Sequence, residues 1–228
     1  MKKHVYALIL LIVLLSGCSN QTQQQTVITV SAASSLSDVL QNVAAQFQAE
    51  HPTISIQFNF GASGSLKEQI EQGAPVDLFL SASSEKYEEL VNEQLIDNSV
   101  NLASNEIVLI TSVKSTVNLH EFSDLVHDDI EKIAIGTPTV VPAGTYGKQA
   151  LHDYDVWTII ENKIVYAKDV RQVLTYVETN NAQAGIVYKT DALASEKVRI
   201  VKTAEKSSHD AIFYPAGVVN STKAPKEA

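Results

Sequence analysis

A single cysteine, Cys18, stands among the 228 residues, so no disulfide can form within the chain. Basic residues are scarce too: 17 Lys and Arg face 26 Asp and Glu, a formal charge of −9. Setting aside Lys2 and Lys3 leaves −11 on residues 18–228. That deficit argues against nucleic acid or an anionic membrane surface as a partner. The apolar run Tyr6 to Leu15 is shorter than the ~20 residues a membrane-spanning helix takes. The sequence lacks H-E-x-x-H, C-x-x-C and G-x-S-x-G, and its histidines (His4, His51, His120, His127, His152, His209) show no metal-ligand spacing. The segment Gly61 to Lys67, GASGSLK, is too short for a nucleotide phosphate loop and lacks its G-K-[ST] ending. No enzyme is expected, and no cofactor.

What is present begins with a secretory signal. Lys2 and Lys3 form the charged start, Tyr6 to Leu15 the apolar run, and Ser16-Gly17-Cys18 the small-residue end. Leu15-Ser16-Gly17-Cys18 resembles the bacterial lipoprotein box, in which the cysteine becomes the lipid-modified first residue. A free thiol would otherwise face an oxidising compartment. Residues 1–17 then read as signal peptide, and 18–26 as lipidated Cys18 plus a polar tether, SNQTQQQT. The expected location is the extracytoplasmic face of the cell membrane, held by lipid.

Beyond the tether, strand-like and helix-like segments alternate. Leu36, Val39, Leu40, Val43, Ala44 and Phe47 recur at helical spacing, whereas Ile54 to Phe60 alternates as a strand does. His51-Pro52 and Gly73 to Pro75 are helix stops. This order predicts an α/β fold with mostly parallel sheets flanked by helices. Two blocks of similar size predict two lobes: residues 27–104 with 204–228, and residues 105–203, the chain crossing near Asn105 and Thr203. Ligands of such sheets bind beyond the carboxyl ends of the strands, here a cleft between the lobes.

Two uncharged turns lie at such strand ends. Ala32-Ala33-Ser34-Ser35-Leu36 follows Val27 to Val30, and Gly61-Ala62-Ser63-Gly64-Ser65-Leu66 follows Ile54 to Phe60. A Ser- and Gly-rich strand-to-helix turn aims free N–H groups and hydroxyls at one point, where the helix dipole adds positive potential. Either turn alone also reads as a plain N-cap; the pair points to a small anion held by neutral donors. Three later segments fit a second half-site. Val141-Pro142-Ala143-Gly144 opens a helix with an orphan Ala143 N–H. Lys168-Asp169-Val170-Arg171 does the same with Asp169 as N-cap, and Gly185 to Tyr188 is a strand ending in a hydroxyl.

The segments ITVSAASSL, FNFGASGSL, GAPVDLFLSA, VPAGTYGKQAL, AKDVRQVL and AGIVYKTDALAS, in this order, resemble the periplasmic molybdate-binding proteins of ABC transporters. The resemblance implies a type II periplasmic-binding-protein fold, a monomer, and capture of molybdate or tungstate for a membrane permease. The oxyanion ligands it implies fall on Ser35, Ser63, Ala143, Val170 and Tyr188. Such a shell contains donors only, which suits a tetrahedral dianion without protons. Charge-assisted bonds of this kind are short and strong.

Alternatives stay open beside this reading. Ser34 or Ser65, which flank the matched serines, is the donor if the register shifts. Sulfate or another oxyanion fits the same chemistry, and a serine hydrolase using Ser35 needs a base that no adjacent histidine supplies. Arg171 reads as a salt bridge to Asp169 or a neighbouring carboxylate, Asp77 as a loop cap, Tyr146 and Trp157 as packing. The family continues after its last strand with a helix against the first lobe, whereas Lys223 to Ala228 looks like only the start of one; a truncated product that lacks this packing is expected.

Overall fold

The computed structural model describes residues 25–228, the side chain of Asn98 aside; the signal segment and Cys18 lie outside the described residues. Two five-stranded sheets form its two lobes. The first collects β1 (Thr26–Ala33), β2 (Ile54–Gly61), β3 (Leu78–Leu80), β4 (Ile96–Ser104) and β10 (Phe213–Val219). The second collects β5 (Ile107–Ser112), β6 (Ile133–Gly136), β7 (Ile164–Ala167), β8 (Ala184–Tyr188) and β9 (Val198–Thr203). Strand orders are β2-β1-β3-β10-β4 and β7-β6-β8-β5-β9.

The expected parallel pairing holds only around β1 and β6. β1 runs parallel to β2 and β3, and β6 parallel to β7 and β8. β10 is antiparallel to β3 and β4, and β5 to β8 and β9. The reason is connectivity. A parallel neighbour needs a crossover, usually helical. β5 and β10 instead enter their sheets from the other lobe. The pattern reading also passed over β4, because Asp97, Asn101 and Ser104 are polar and Val100 and Leu102 are exposed. Only its ladder with β10 makes it a strand.

Helices α1 (Ser37–Glu50), α2 (Ser63–Glu71) and α3 (Ser84–Asn92) flank the first sheet. Leu66, Ile70, Tyr87 and Leu90 bury one face against Phe79 and Val76. On the other face Leu40 and Phe58 pack on Ile28 and Val30. Beside α1 an apolar groove of about 210 Å3 stays open, and Ala228 packs at its end. Around the second sheet stand α4 (Pro142–Asp153), α5 (Trp157–Ile160), α6 (Val170–Glu178) and α7 (Lys189–Leu193). Its core runs unbroken into Ala33, Ala62, Ala82 and Tyr214 of the first lobe, so the lobes are closed on one another.

Candidate functional site

Register sets the site. Ala33 pairs with Gly61, and Ala32 with Leu80, so β1, β2 and β3 end level at one sheet edge. The turns after them carry Ser35, Ser63 and Ala82. Opposite, Gly136 pairs with Ala167, so β6 and β7 also end level. Val141 is the N-cap of α4 with Pro142 in its first turn, which leaves the Ala143 N–H among the orphan donors. Asp169 caps α6, its carboxylate accepting the Gln172 N–H at 2.8 Å, and Val170 opens that helix. Tyr188 is the last residue of β8.

These strand ends meet. Ser35, Ser63, Ala143, Val170 and Tyr188 all line one cavity of about 10 Å3, with Ser34 and Ala82 in the same wall. Ser65 is not in that wall. Among the described residues the lining has no Lys, Arg, Asp or Glu. First-turn N–H groups, which have no intrahelical acceptor, and the hydroxyls of Ser35, Ser63 and Tyr188 are its donors. About 10 Å3 is near the space one water needs.

The serine hydroxyls have partners behind them. The Ala82 N–H donates to Ser63 Oγ at 2.9 Å, and Ser35 Oγ lies 3.1 Å from the Tyr214 hydroxyl. Asn105 Nδ2 also donates to that hydroxyl, at 3.0 Å. Tyr188 donates to the Ala82 carbonyl at 3.2 Å across the lobes. Burial pushes the Tyr188 phenol well above its ordinary range, with Tyr214 and Tyr146 adding to the shift, so the group stays a donor.

Other contacts hold the lobes together. The Gly64 N–H donates to the Val140 carbonyl at 3.0 Å. A Cβ at Gly64 would stand 2.7 Å from that oxygen, so this approach needs glycine. Arg171 reaches from α6 to the first lobe: Nη2 is 2.5 Å from Asp38 Oδ2, and Nε points at the Ser34 carbonyl 3.4 Å away. Nε also sits 3.0 Å from Oδ1 of buried Asp191, an ion pair without an aligned hydrogen bond. Burial pushes Asp191 up to about 7, against the pull of Arg171.

The sequence reading of Arg171 named Asp169 or a neighbour; Asp169 is engaged as the cap, and the partners are Asp38 and Asp191. Asp77 ties the first lobe, accepting from the Thr29 N–H and the Thr222 hydroxyl. Tyr146 and Trp157 are buried. The hydroxyl partner of Ser35 is a phenol, and His152 lies against Trp157. Asn105, Tyr214, Asp38 and Asp191 were not foreseen. Ala82 had a signal, since Leu80-Ser81-Ala82-Ser83 is a third strand-to-helix turn at the same edge.

The bacterial extracellular solute-binding protein family matches residues 28–228. The chain is 46% identical over 222 residues to YvgL of Bacillus subtilis strain 168, named as an ABC transporter substrate-binding lipoprotein, covering 94% of this chain and 85% of that one. It is 37% identical over 200 residues to the molybdate-binding protein ModA of Escherichia coli K12, covering 84% and 77%. A solved substrate-binding domain assigned to a molybdenum ABC transporter of Clostridium difficile superposes with a TM-score of 0.65 at 35% identity, covering 89% of each chain.

Proposed function

The chain belongs to the bacterial extracellular solute-binding protein family, and on that premise we propose that it captures molybdate outside the cytoplasmic membrane and delivers it to the permease of an ABC transporter. The observation that carries this reading is the cavity wall: donors from both lobes converge on one point with no charged side chain among them. A tetrahedral oxyanion without protons is matched by donors alone. Its buried charge is balanced by many dipoles, since one unpaired charge is otherwise very costly. In this proposal Ser35 and Ser63 bind through hydroxyl and N–H, Ala143 and Val170 through their N–H groups. Tyr188 completes the set when a ligand oxygen competes with the Ala82 carbonyl for its proton. Tungstate, which matches molybdate in charge, shape and size, is bound too, whereas sulfate is smaller and leaves donors unengaged.

Admission of the anion requires movement. The cavity is walled by residues of both lobes, so the anion enters when they part. The Gly64–Val140, Tyr188–Ala82, Arg171–Asp38 and Arg171–Ser34 contacts join the lobes and part when they open. Ligand that touches both lobes favours the closed state by differential contact. The protein is a receptor, not an enzyme: its family is one of solute-binding proteins, and Ser35 has a phenol rather than a base behind it. Lipidation at Cys18 anchors it beside the permease, and the lipoprotein name of YvgL supports this. Globomycin then blocks processing of the chain.

Calorimetric titration of the full chain in detergent tests the reading. One-to-one binding of molybdate and tungstate with no heat from sulfate is expected. Sulfate binding as tight as molybdate, or no binding of either, overturns it.

A further inference from the structure

Asn105 lies where the chain passes from β4 to β5, and Tyr214 lies in β10 just after it passes back. Their side chains meet behind Ser35. The Asn105 Oδ1 accepts the Glu106 N–H at 2.9 Å, which orients the amide. Nδ2 then faces outward and gives its two protons to Thr190 Oγ1, at 2.9 Å, and to the Tyr214 oxygen, at 3.0 Å. An amide nitrogen only donates, so Tyr214 accepts there. Its own proton needs another partner, because the ring is 1% exposed and a buried unpaired hydroxyl is costly. Among the described residues, the acceptor within reach is Ser35 Oγ, at 3.1 Å.

We propose that Tyr214, oriented by Asn105, is a positioning residue that donates to Ser35 Oγ and so directs the Ser35 proton into the cavity. The inference rests on the oxyanion reading given above. Ser63 has the same arrangement by another route. The Ala82 N–H can only donate, so Ser63 Oγ accepts at 2.9 Å and its proton is also released toward the cavity. Both serines are thus committed as donors. An oxyanion without protons therefore finds two aligned O–H groups. The alignment of the Ser35 hydroxyl thus lies in two residues outside the cavity lining.

A double-mutant cycle tests this on the full chain in detergent, with molybdate as the probe. Tyr214→Phe weakens binding by about five- to tenfold, the worth of orienting one charge-assisted hydrogen bond. In a Ser35→Ala background the same substitution changes affinity by less than about twofold. Asn105→Ala, at a partly exposed position, gives a smaller loss with the same dependence on Ser35 and serves if Tyr214→Phe lowers the melting temperature sharply. Equal losses in both backgrounds, or no loss in Tyr214→Phe, overturn the relay while leaving the receptor reading intact. A wild-type chain that binds no molybdate overturns both.

Discussion

Replacing Arg171 with glutamine weakens molybdate binding without touching the proposed shell, and its size follows from the contacts. Two of the three partners of Arg171 lie across the cleft, Asp38 and the Ser34 carbonyl. These contacts exist only while the lobes are together. The Asp38 carboxylate is exposed, so that pair is worth about 0–1 kcal/mol despite its short distance. The bond to the Ser34 carbonyl is long, and contributes about 0.5 kcal/mol. Asp191 sits on the same lobe as Arg171, so their attraction is present open or closed and cancels from the closure equilibrium. The closed state therefore loses about 1 kcal/mol, a rise in Kd of roughly fivefold. The change appears in the dissociation rate, because it lowers the barrier to reopening. Calorimetry gives the affinity, and stopped-flow displacement by excess tungstate gives the rate. Asp38→Asn isolates the cross-cleft pair and costs up to about fivefold, less at high salt. A loss of more than about a hundredfold in Arg171→Gln refutes the reasoning, since the guanidinium would then be a ligand to the anion. No loss in either variant refutes the coupling of this contact to binding.

Ser35→Ala and Ser63→Ala each weaken molybdate binding by about ten- to a hundredfold, the range for one hydrogen bond to a charged group; unchanged affinity in both by calorimetry excludes the cavity as the site. Gly64→Ala puts a methyl 2.7 Å from the Val140 carbonyl, holds the lobes apart, and raises Kd by about tenfold or more while circular dichroism stays unchanged. Asp191 gives a pH signature. Its folded value of about 7 lies above the ordinary 3.8, so the native state holds a proton that the unfolded chain has lost. The stabilisation is complete below about pH 4 and disappears as pH rises through about 7. Thermal melts of wild type between pH 5 and 8 then fall relative to Asp191→Asn, and parallel curves contradict the assignment.

The strand ends and the turns after them were legible in the sequence because their physics is local. An apolar run that stops at Ser, Gly or Pro, followed by helical spacing, encodes both the turn and its unpaired N–H groups within about ten residues. The turns followed from the residues, whereas Ser35, Ser63, Ala143, Val170 and Tyr188 were named as one set by the resemblance to the molybdate-binding family; all five line one cavity. The pairing of β10 and β5 was not legible, because antiparallel entry depends on where the chain crosses between lobes. Nor was β4, whose exposed polar residues become a strand only beside β10. The contacts behind and across the site belong to the same class. Tyr214 reaches Ser35 over 179 positions, Asn105 reaches Tyr214 over 109, and Arg171 reaches Asp38 over 133. Sequence by itself determined which groups are free to donate, since capping and backbone geometry act over one turn. Only the tertiary structure decided what stands behind each hydroxyl and which charges join the lobes, since such contacts exist only once two sheets fold and close on each other.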